Sequence, residues 1–343
     1  MLSRCLVGPS VKVALVIVNW NGADCLPECL RSVASQARPP DRVVVVDNAS
    51  SDGSLDRALR EFPWVEAIRL DTNVGFAAAN NVALRACGDC EWIALLNPDA
   101  FPAASWLAAL LAAAERNPGY AAFASQLRSA TDDGLLDGSG DVYHVSGLAW
   151  RAGHGAPRPQ NDSPREVFSA CAAAALYRRD ALMTVGAFDE RYFCYVEDVD
   201  LGFRLRLRGH RCLYVPGAVA RHVGSASTGK RSGFSTYHGH RNLVWTFFKN
   251  MPAALLASYL PQHLVLNVLS VLWFSARGQA RAILKAKWDA LLGIPEVLRE
   301  RRAVQRERCA ALRDLRAAMA HGWFTPYSAV ARAGDVSAIQ GAR

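Results

Sequence analysis

Residues 94–100 read ALLNPDA and complete an apolar run, Trp92 to Leu96, that turns polar at Asn97-Pro98-Asp99 before helical spacing resumes. An apolar run of this length, closed by Pro and Asp, predicts a buried strand. A carboxylate at the end of such a strand is costly unless something compensates its charge, so Asp99 marks a site. The pattern recurs: Val13 to Val18 end at Asn19-Trp-Asn21, Arg42 to Val46 at Asp47-Asn48, and Val65 to Leu70 at Asp71-Thr-Asn73. Helical spacing follows, with Leu26, Leu30 and Val33 on one face, an Ala-rich stretch after Gly75, and a helix from about Pro102 to Glu115. Strands alternating with helices predict an α/β fold with a mainly parallel sheet. Ligands bind beyond the carboxyl ends of such strands. Ser50, Ser51, Asp52 and Ser54 read as loop and capping residues. Asp47 and Asp99 read as functional, because aligned carboxylates repel unless a cation or ligand separates them.

The bulk of the chain agrees with a globular protein. It has 343 residues, of which 51% are hydrophobic and 20% charged, enough for a full core. Nine cysteines (5, 25, 29, 87, 90, 171, 194, 212 and 309) are odd in number and scattered, as reduced thiols would be. Cys87 and Cys90 form a lone CxxC without a second pair, which reads as two incidental thiols. Arg4 precedes an apolar stretch, but Pro9 and Lys12 interrupt it and no small-residue cleavage site follows, so a cytoplasmic location is expected.

Residues 128–166 lose periodicity and are rich in Gly, Asp, Ser and Pro, the composition of a long surface loop or small subdomain. Beyond them, VGAFDERYFCYVEDVDLGFRLRLRGH (residues 185–210) packs Asp189, Glu190, Glu197, Asp198 and Asp200 into one short span. Asp200 to Arg208 has helical spacing, which sets Glu197 and Asp198 at the helix start, where the dipole stabilises a carboxylate.

Taken together these segments resemble family 2 glycosyltransferases of the GT-A fold, in their rhamnosyltransferase-like branch, over about residues 12–250. They occur in family order: Val-Asn-Trp-Asn at 18–21, Val-Asp-Asn-Ala-Ser at 46–50, Asn-Val-Gly-Phe-Ala at 73–77, Asn-Pro-Asp at 97–99, Gly-x-Phe-Asp at 186–189, Tyr-x-Glu-Asp-x-Asp-Leu at 195–201 and Arg-Asn at 241–242. The resemblance implies a GT-A nucleotide-sugar-binding domain with a mixed, mainly parallel sheet. It implies a hexosyltransferase-type enzyme that inverts the anomeric centre and uses Mg2+ or Mn2+. Asp99 matches the last carboxylate of the family's Asp-x-Asp motif, a metal ligand on the donor diphosphate, with Asn97 in support. Asp47 matches the nucleoside contact, and Asn19, Asn21, Asn73 and Gly75 fall to the same donor pocket. Asp198 matches the catalytic base, and Glu197 and Asp200 orient the site and cap the helix. His222 resembles a histidine that completes the metal shell in some relatives, with a purely structural role equally open. Arg241 fits a phosphate contact. Two departures bear on the sugar: relatives often carry glycines near Ala78 and Ala79 and near Ser169 and Ala170.

The implied donor is rhamnose from dTDP-rhamnose, with UDP- and GDP-linked sugars as alternatives, and the acceptor is a lipid-linked or cell-surface glycan. A processive synthase is disfavoured by the lack of a Gln-x-x-Arg-Trp motif. A dinucleotide oxidoreductase would need GxGxxG where Asn19-Trp-Asn-Gly stands. A catalytically inactive nucleotide-sugar sensor or scaffold remains the alternative, although it would have no need of Asp198.

The net charge of +8 is concentrated late: residues 271–343 carry 13 Lys/Arg against 6 Asp/Glu. Asn250 to Ala276 hold no charge between Lys249 and Arg277, long enough to cross a bilayer. Pro261, Gln262, His263 and Asn267 favour a broken or interfacial helix instead. A basic helix is expected from about Glu296 to Met319, with Arg299, Arg301, Arg302, Arg306, Arg308, Arg313 and Arg316. The expected organisation is a catalytic domain at 1–250, a helical, basic, membrane-associating region at 251–322 and a tail at 323–343. The partner there is an anionic membrane surface on the cytoplasmic side of the inner membrane. No nucleic-acid module accompanies the charge, and an oligomer is left open.

Overall fold

The computed structural model describes residues 11–224 and 232–325. Cys5, the segment around Arg4 and Pro9, and most of the expected tail lie outside the described residues. The chain runs β1 (Val13–Asn19), α1 (Leu26–Ala34), β2 (Arg42–Asp47), α2 (Ser54–Glu61), β3 (Glu66–Arg69), α3 (Gly75–Ala86), β4 (Trp92–Leu96), β5 (Ala100–Pro102), α4 (Trp106–Arg116) and β6 (Tyr120–Ser129). Four short strands follow, β7 (Leu136–Gly138), β8 (Asp141–Tyr143), β9 (Ala149–Arg151) and β10 (Arg165–Val167). After them come β11 (Ala174–Arg178), α5 (Arg179–Thr184), a 3-10 turn (Glu190–Tyr192), α6 (Glu197–Leu207) and β12 (Arg211–His222). Four helices close the described chain: α7 (Gly233–Asn250), α8 (Ala253–Ala276), α9 (Ala280–Arg306) and α10 (Leu312–Ala318).

The main sheet has the order β10-β12-β6-β11-β4-β1-β2-β3. Its β4-β1-β2-β3 half is parallel, whereas β11 runs antiparallel between β4 and β6. All seven residues of β1 are buried because both faces are covered. Val13, Leu15 and Ile17 meet α1, α2 and α4 in one core, while Ala14, Val16 and Val18 meet α3, α5 and α6 in the other. A third cluster joins Tyr143 and Phe168 to Val199 and Phe203 of α6, Phe247 of α7, Leu255 of α8 and Leu315 of α10. It therefore draws on both sides of residue 250, and α7 packs along α9.

Three expected elements differ. The helix expected from Pro102 starts at Trp106, because Ala100–Pro102 instead pairs antiparallel with β12, His222 opposite Ala100. The basic helix expected over 296–319 is interrupted between Arg306 and Leu312. There the amides of Cys309 and Ala310 donate to the Leu207 carbonyl, at 2.9 and 3.1 Å, and satisfy the open end of α6. The uncharged stretch forms one continuous helix, α8, and is not broken at Pro261. Cys87 and Cys90 are buried free thiols.

A buried ion network ties α6 and α7 to the segment around the 3-10 turn. Lys249 lies 2.6 Å from Asp189 Oδ2 and 2.7 Å from Asp200 Oδ1, and Arg204 holds the other oxygen of Asp200 at 2.8 Å. Tyr192 and Asn250 also donate to Asp200 Oδ1. Burial alone would raise the Asp200 pKa, but Lys249 and Arg204 hold it below the usual value. Breaking a buried pair from one side costs about 3–5 kcal/mol, so Lys249→Met is expected to lower the stability by that order. Carboxylates with depressed pKa stabilise the fold fully above the ordinary value of about 4 and lose that contribution as pH falls through the depressed one. The acid-unfolding midpoint of Lys249→Met should therefore move upward, which urea melts between pH 3 and 7 would measure.

Candidate functional site

The ends of β1 and β2 are fastened by one asparagine. Asn19 Nδ2 donates to Asp47 Oδ1 (2.8 Å), Ser54 Oγ (2.8 Å) and Ser50 Oγ (3.1 Å), and the residue is fully buried. Gly22 is required beside it, since a Cβ there would stand 2.4 Å from Asn19 Oδ1. Asn21 adopts a left-handed conformation with φ 51° and accepts from the Ser51 amide at 2.9 Å. Both asparagines thus fix the loop that carries Asp47. The second Asp47 oxygen accepts from the Ser50 amide at 3.1 Å. A carboxylate offers about four acceptor sites, so Asp47 retains capacity for a ligand. Ser50 and Ser54, expected as simple capping residues, belong to this network.

Asn73 and Gly75 are also internal fasteners. Asn73 Oδ1 accepts from Asn48 Nδ2 (2.8 Å) and the Gly75 amide (2.9 Å), while Asn48 Oδ1 accepts from the Val74 amide (2.9 Å). Gly75 has φ 86°, and a Cβ on it would meet the Phe193 carbonyl and ring at 2.6 Å. The turn entering α3 is therefore moulded against the segment that precedes α6.

That segment is strained. Phe193, Tyr195 and Val196 all have positive φ, at 64°, 66° and 70°, which costs on the order of 1–3 kcal/mol each and persists only where the surroundings enforce it. Asn242, fully buried, enforces it by donating to the carbonyls of Tyr192 (2.9 Å), Cys194 (3.0 Å) and Tyr195 (2.7 Å). Arg241 donates to the carbonyls of Arg191 (3.1 Å) and Tyr192 (3.2 Å), and its guanidinium stacks 4.3 Å from the Trp245 ring centre. The Arg241 guanidinium, expected as a phosphate contact, is here turned onto main-chain oxygens.

The clamp delivers Glu197 and Asp198 to the first turn of α6. Asp198 accepts from the amides of Val199 (2.8 Å) and Ala172 (3.1 Å). Burial raises its pKa above the ordinary value, and the two amides oppose the shift. A half-buried carboxylate with a raised pKa suits proton abstraction. Glu197 is buried, and burial followed by the charge of Asp198 raises its pKa well above the usual range. Its Oε2 has no hydrogen-bond partner among the described residues. Gly202 lets the helix approach this closely, since a Cβ there would lie 2.2 Å from that of Ser169.

Asp99, after β4, meets His222, the last residue of β12. The β5–β12 pairing brings them together, and the Val223 amide donates to the Asp99 carbonyl at 3.0 Å. His222 Nε2 lies 3.3 Å from Asp99 Oδ1, and Nδ1 is 2.7 Å from Asp137 Oδ2. Burial would lower the His222 pKa, but Asp99 and Asp137 raise it to about 9. Asp137 also binds Arg151 and sits 3.3 Å from His154. Burial opposes its ionisation, yet Arg151 and His222 hold it well below the usual carboxylate range. The geometry fits a divalent cation in one respect: a buried histidine nitrogen faces a carboxylate, and the other nitrogen is oriented by a second carboxylate, as metal-ligating histidines are. Among the described residues no cluster of three or more His, Cys, Asp or Glu is arranged around a cation position. Any cation there would need ligand oxygens, such as those of a diphosphate. Asn97 Oδ1 is buried without a partner among the described residues.

Asp137, Arg151 and Asp141 were missed in the sequence because residues 128–166 have no periodicity. Arg151 lies within electrostatic reach of Asp137, Asp141 and Asp198 and so couples the two halves of the site. Asp141, buried, accepts from Ser169 Oγ at 2.9 Å, and burial together with Asp198 raises its pKa well above the usual range. The only signal was the density of Asp and Gly in Leu136-Asp-Gly-Ser-Gly-Asp141.

A family model described as glycosyl transferase family 2 matches residues 14–186. Among curated proteins, the N-acetylglucosaminyl-diphospho-decaprenol L-rhamnosyltransferase of Mycobacterium tuberculosis is 30% identical over 239 residues, covering 63% of this chain and 77% of that one. Among solved structures, GalNAc-T7 with UDP, GalNAc and Mn2+ matches with a TM-score of 0.64 at 15% identity, covering 94% of this chain and 57% of that one. The mannosyltransferase PcManGT from Pyrobaculum calidifontis, with GDP-Man and Mn2+, matches with a TM-score of 0.53 at 18% identity, covering 96% and 87%. At these identities the two structures share the fold with this chain.

Removing the clamp should loosen the strained turn selectively. Asn242→Ala removes the donor from the Cys194 and Tyr195 carbonyls, at about 1–3 kcal/mol for each left unsatisfied, while Arg241 still holds that of Tyr192. The melting temperature should fall, and amide hydrogen exchange at residues 193–197 should accelerate more than in β1 or β4.

Proposed function

The chain belongs to glycosyl transferase family 2, and on that premise we propose an inverting, metal-dependent transfer of rhamnose from dTDP-rhamnose to a lipid-linked glycan. The reaction takes place at the cytoplasmic face of an anionic membrane. The observation that carries this reading is the Asp99–His222 pair, with His222 Nδ1 held by Asp137. Asp99 and His222 are the residues that would hold Mg2+ or Mn2+, and two relatives in fold, both solved with Mn2+, support that choice. A divalent ion bound there would stabilise the charge that develops on a departing nucleoside diphosphate. The rhamnosyl donor and the lipid-linked acceptor follow the activity of the mycobacterial relative.

In this reading Asp47 accepts from the base imide or a ribose hydroxyl, and Asn97 supports the diphosphate side. Asn19, Asn21, Asn73, Gly75 and Arg241 act through the loops they fasten. Asp198 removes the proton from the acceptor hydroxyl as its oxygen bonds to the anomeric carbon. The carbon–oxygen bond to the diphosphate breaks on the opposite face, which inverts the centre. General-base catalysis of this kind contributes roughly 10²–10⁴-fold in rate.

Thermal melts with dTDP, UDP and GDP, each with and without Mn2+, test the donor site. A ligand at about 100 times its dissociation constant stabilises a fold by about 2.7 kcal/mol. The expected result is Mn2+-dependent stabilisation by dTDP that is lost in Asp99→Ala and retained in Asp198→Asn, while Asp198→Asn loses transfer by at least about 10²-fold. Equal transfer by Asp198→Asn and the parent would remove Asp198 from the role of base.

A further inference from the structure

The uncharged helix α8 leaves a continuous stripe open along its whole length. Ala257, Pro261, Leu264, Val268, Leu272 and Ala276 recur at helical spacing and are all exposed. Leu272 is 61% exposed. After the turn at 277–279, α9 opens with the same character: Leu284, Trp288, Leu291 and Leu292 are exposed, Leu292 at 63%. Folded soluble surfaces rarely expose an apolar area this long. The charges around it are mainly basic, with Asp289, paired to Lys285, and the exposed Glu296 as the acidic residues among them. Arg277 caps the end of α8 and stacks 3.2 Å from the ring centre of Trp273, with Arg281 and Lys285 exposed just beyond. The exposed face of α9 then continues as Arg299, Arg302 and Arg306.

The opposite face of α8 is fixed to the catalytic domain at mid-length. His263 Nδ1 is hydrogen-bonded to the Ser146 carbonyl at 2.7 Å, and its ring stacks on Phe247 with centres 3.9 Å apart. Gln262 donates to the Gly322 carbonyl at 3.1 Å. Gly147 is needed for this approach, since a Cβ there would lie 2.8 Å from His263 Nδ1. Its 24 residues span about 36 Å, enough to cross a bilayer end to end. A crossing would, however, place the non-helical Ser146 turn and residues 319–322 at the depth of the hydrocarbon centre, where irregular backbone facing lipid does not occur.

We propose that α8 and the first half of α9 form a monotopic hairpin that lies in the plane of an anionic phospholipid surface. Their shared apolar stripe is buried below the headgroups, and the arginines around it contact phosphate. This deepens the membrane assignment of the proposed function and rests on it for the direction of the active site. The hairpin is joined to that site through the Ser146 turn, which connects β8, with Asp141, to β9, with Arg151. An acceptor anchored in the same leaflet would reach Asp198 without leaving the membrane plane.

The test is flotation of the purified full-length chain with preformed vesicles of phosphatidylcholine alone or with about 30% phosphatidylglycerol, beside Val268→Glu/Leu272→Glu/Leu292→Glu. The wild type should float with anionic vesicles, about tenfold less with neutral ones, and the triple variant should stay in solution. The variant should keep its Mn2+-dependent nucleotide stabilisation, so a failure of the donor site is read separately from a failure of the membrane face. Protease added outside should leave no protected fragment. A protected fragment covering α8 would overturn the in-plane arrangement. Equal flotation of the variant, or a wild type that stays in solution as a dimer which the variant converts to monomer, would overturn the lipid assignment, the dimer in favour of a second copy of the chain.

Discussion

The ammonium group of Lys249, buried between Asp189 and Asp200, is the contact on which the active region depends. An isolated ammonium in such a place would be strongly disfavoured, so the two carboxylates must be held at hydrogen-bond distance. Each belongs to a different element. Asp189 precedes the 3-10 turn and pairs with Arg191, which reaches Glu300 of α9, while Asp200 sits in α6. One charge therefore fixes α6, α7 and the strained turn relative to one another, and through Arg191 it extends to the helices that carry the exposed apolar stripe. Asp198 stands two residues before Asp200, so its position is set by an ion network that it does not itself join.

The carboxylates around the site fall into two groups. Asp137 is held well below the usual range by Arg151 and His222, so it stays ionised and presents the histidine in one orientation. Asp198 is pushed the other way by burial, and Glu197 and Asp141 by burial and by the charge of Asp198. Environments that drive neighbouring carboxyl groups apart in this way are how one pocket separates a charge-holding role from a proton-moving one. Arg151 is within electrostatic reach of both groups, and it comes from the aperiodic region read as a surface loop or small subdomain. That region therefore tunes both halves of the site.

The strand-end clusters were legible because burial and polarity alternate on the scale of single strands, and the fold, with Asp47 and Asp99 at the β2 and β4 ends, follows from that pattern. What the sequence could not disclose is the direction in which each amide points. Asn19, Asn73 and Arg241 stand in the stretches expected to bind a ligand, yet all three turn inward: Asn19 and Arg241 donate to buried carboxylate and main-chain oxygens, and Asn73 accepts from a main-chain amide. A residue type suited to a ligand is equally suited to a loop clamp, and only the local backbone decides. The strand β5 was hidden in a helical pattern because three residues are too few to show period-two alternation, although its pairing with β12 is what brings His222 to Asp99.

The same economy explains the positive-φ turn before α6. Three non-glycine residues in left-handed conformations would be unstable in isolation, yet glycines there would leave the turn free to sample other shapes. Side chains at 193, 195 and 196 restrict those shapes, and Asn242 satisfies the carbonyls that the unusual backbone exposes. Because Asn242 and Lys249 lie on the same helix, α7, the strain in the turn is balanced by the helix that packs along α9. Order in the C-terminal helices and order in the turn that carries Asp198 are then one property of the fold.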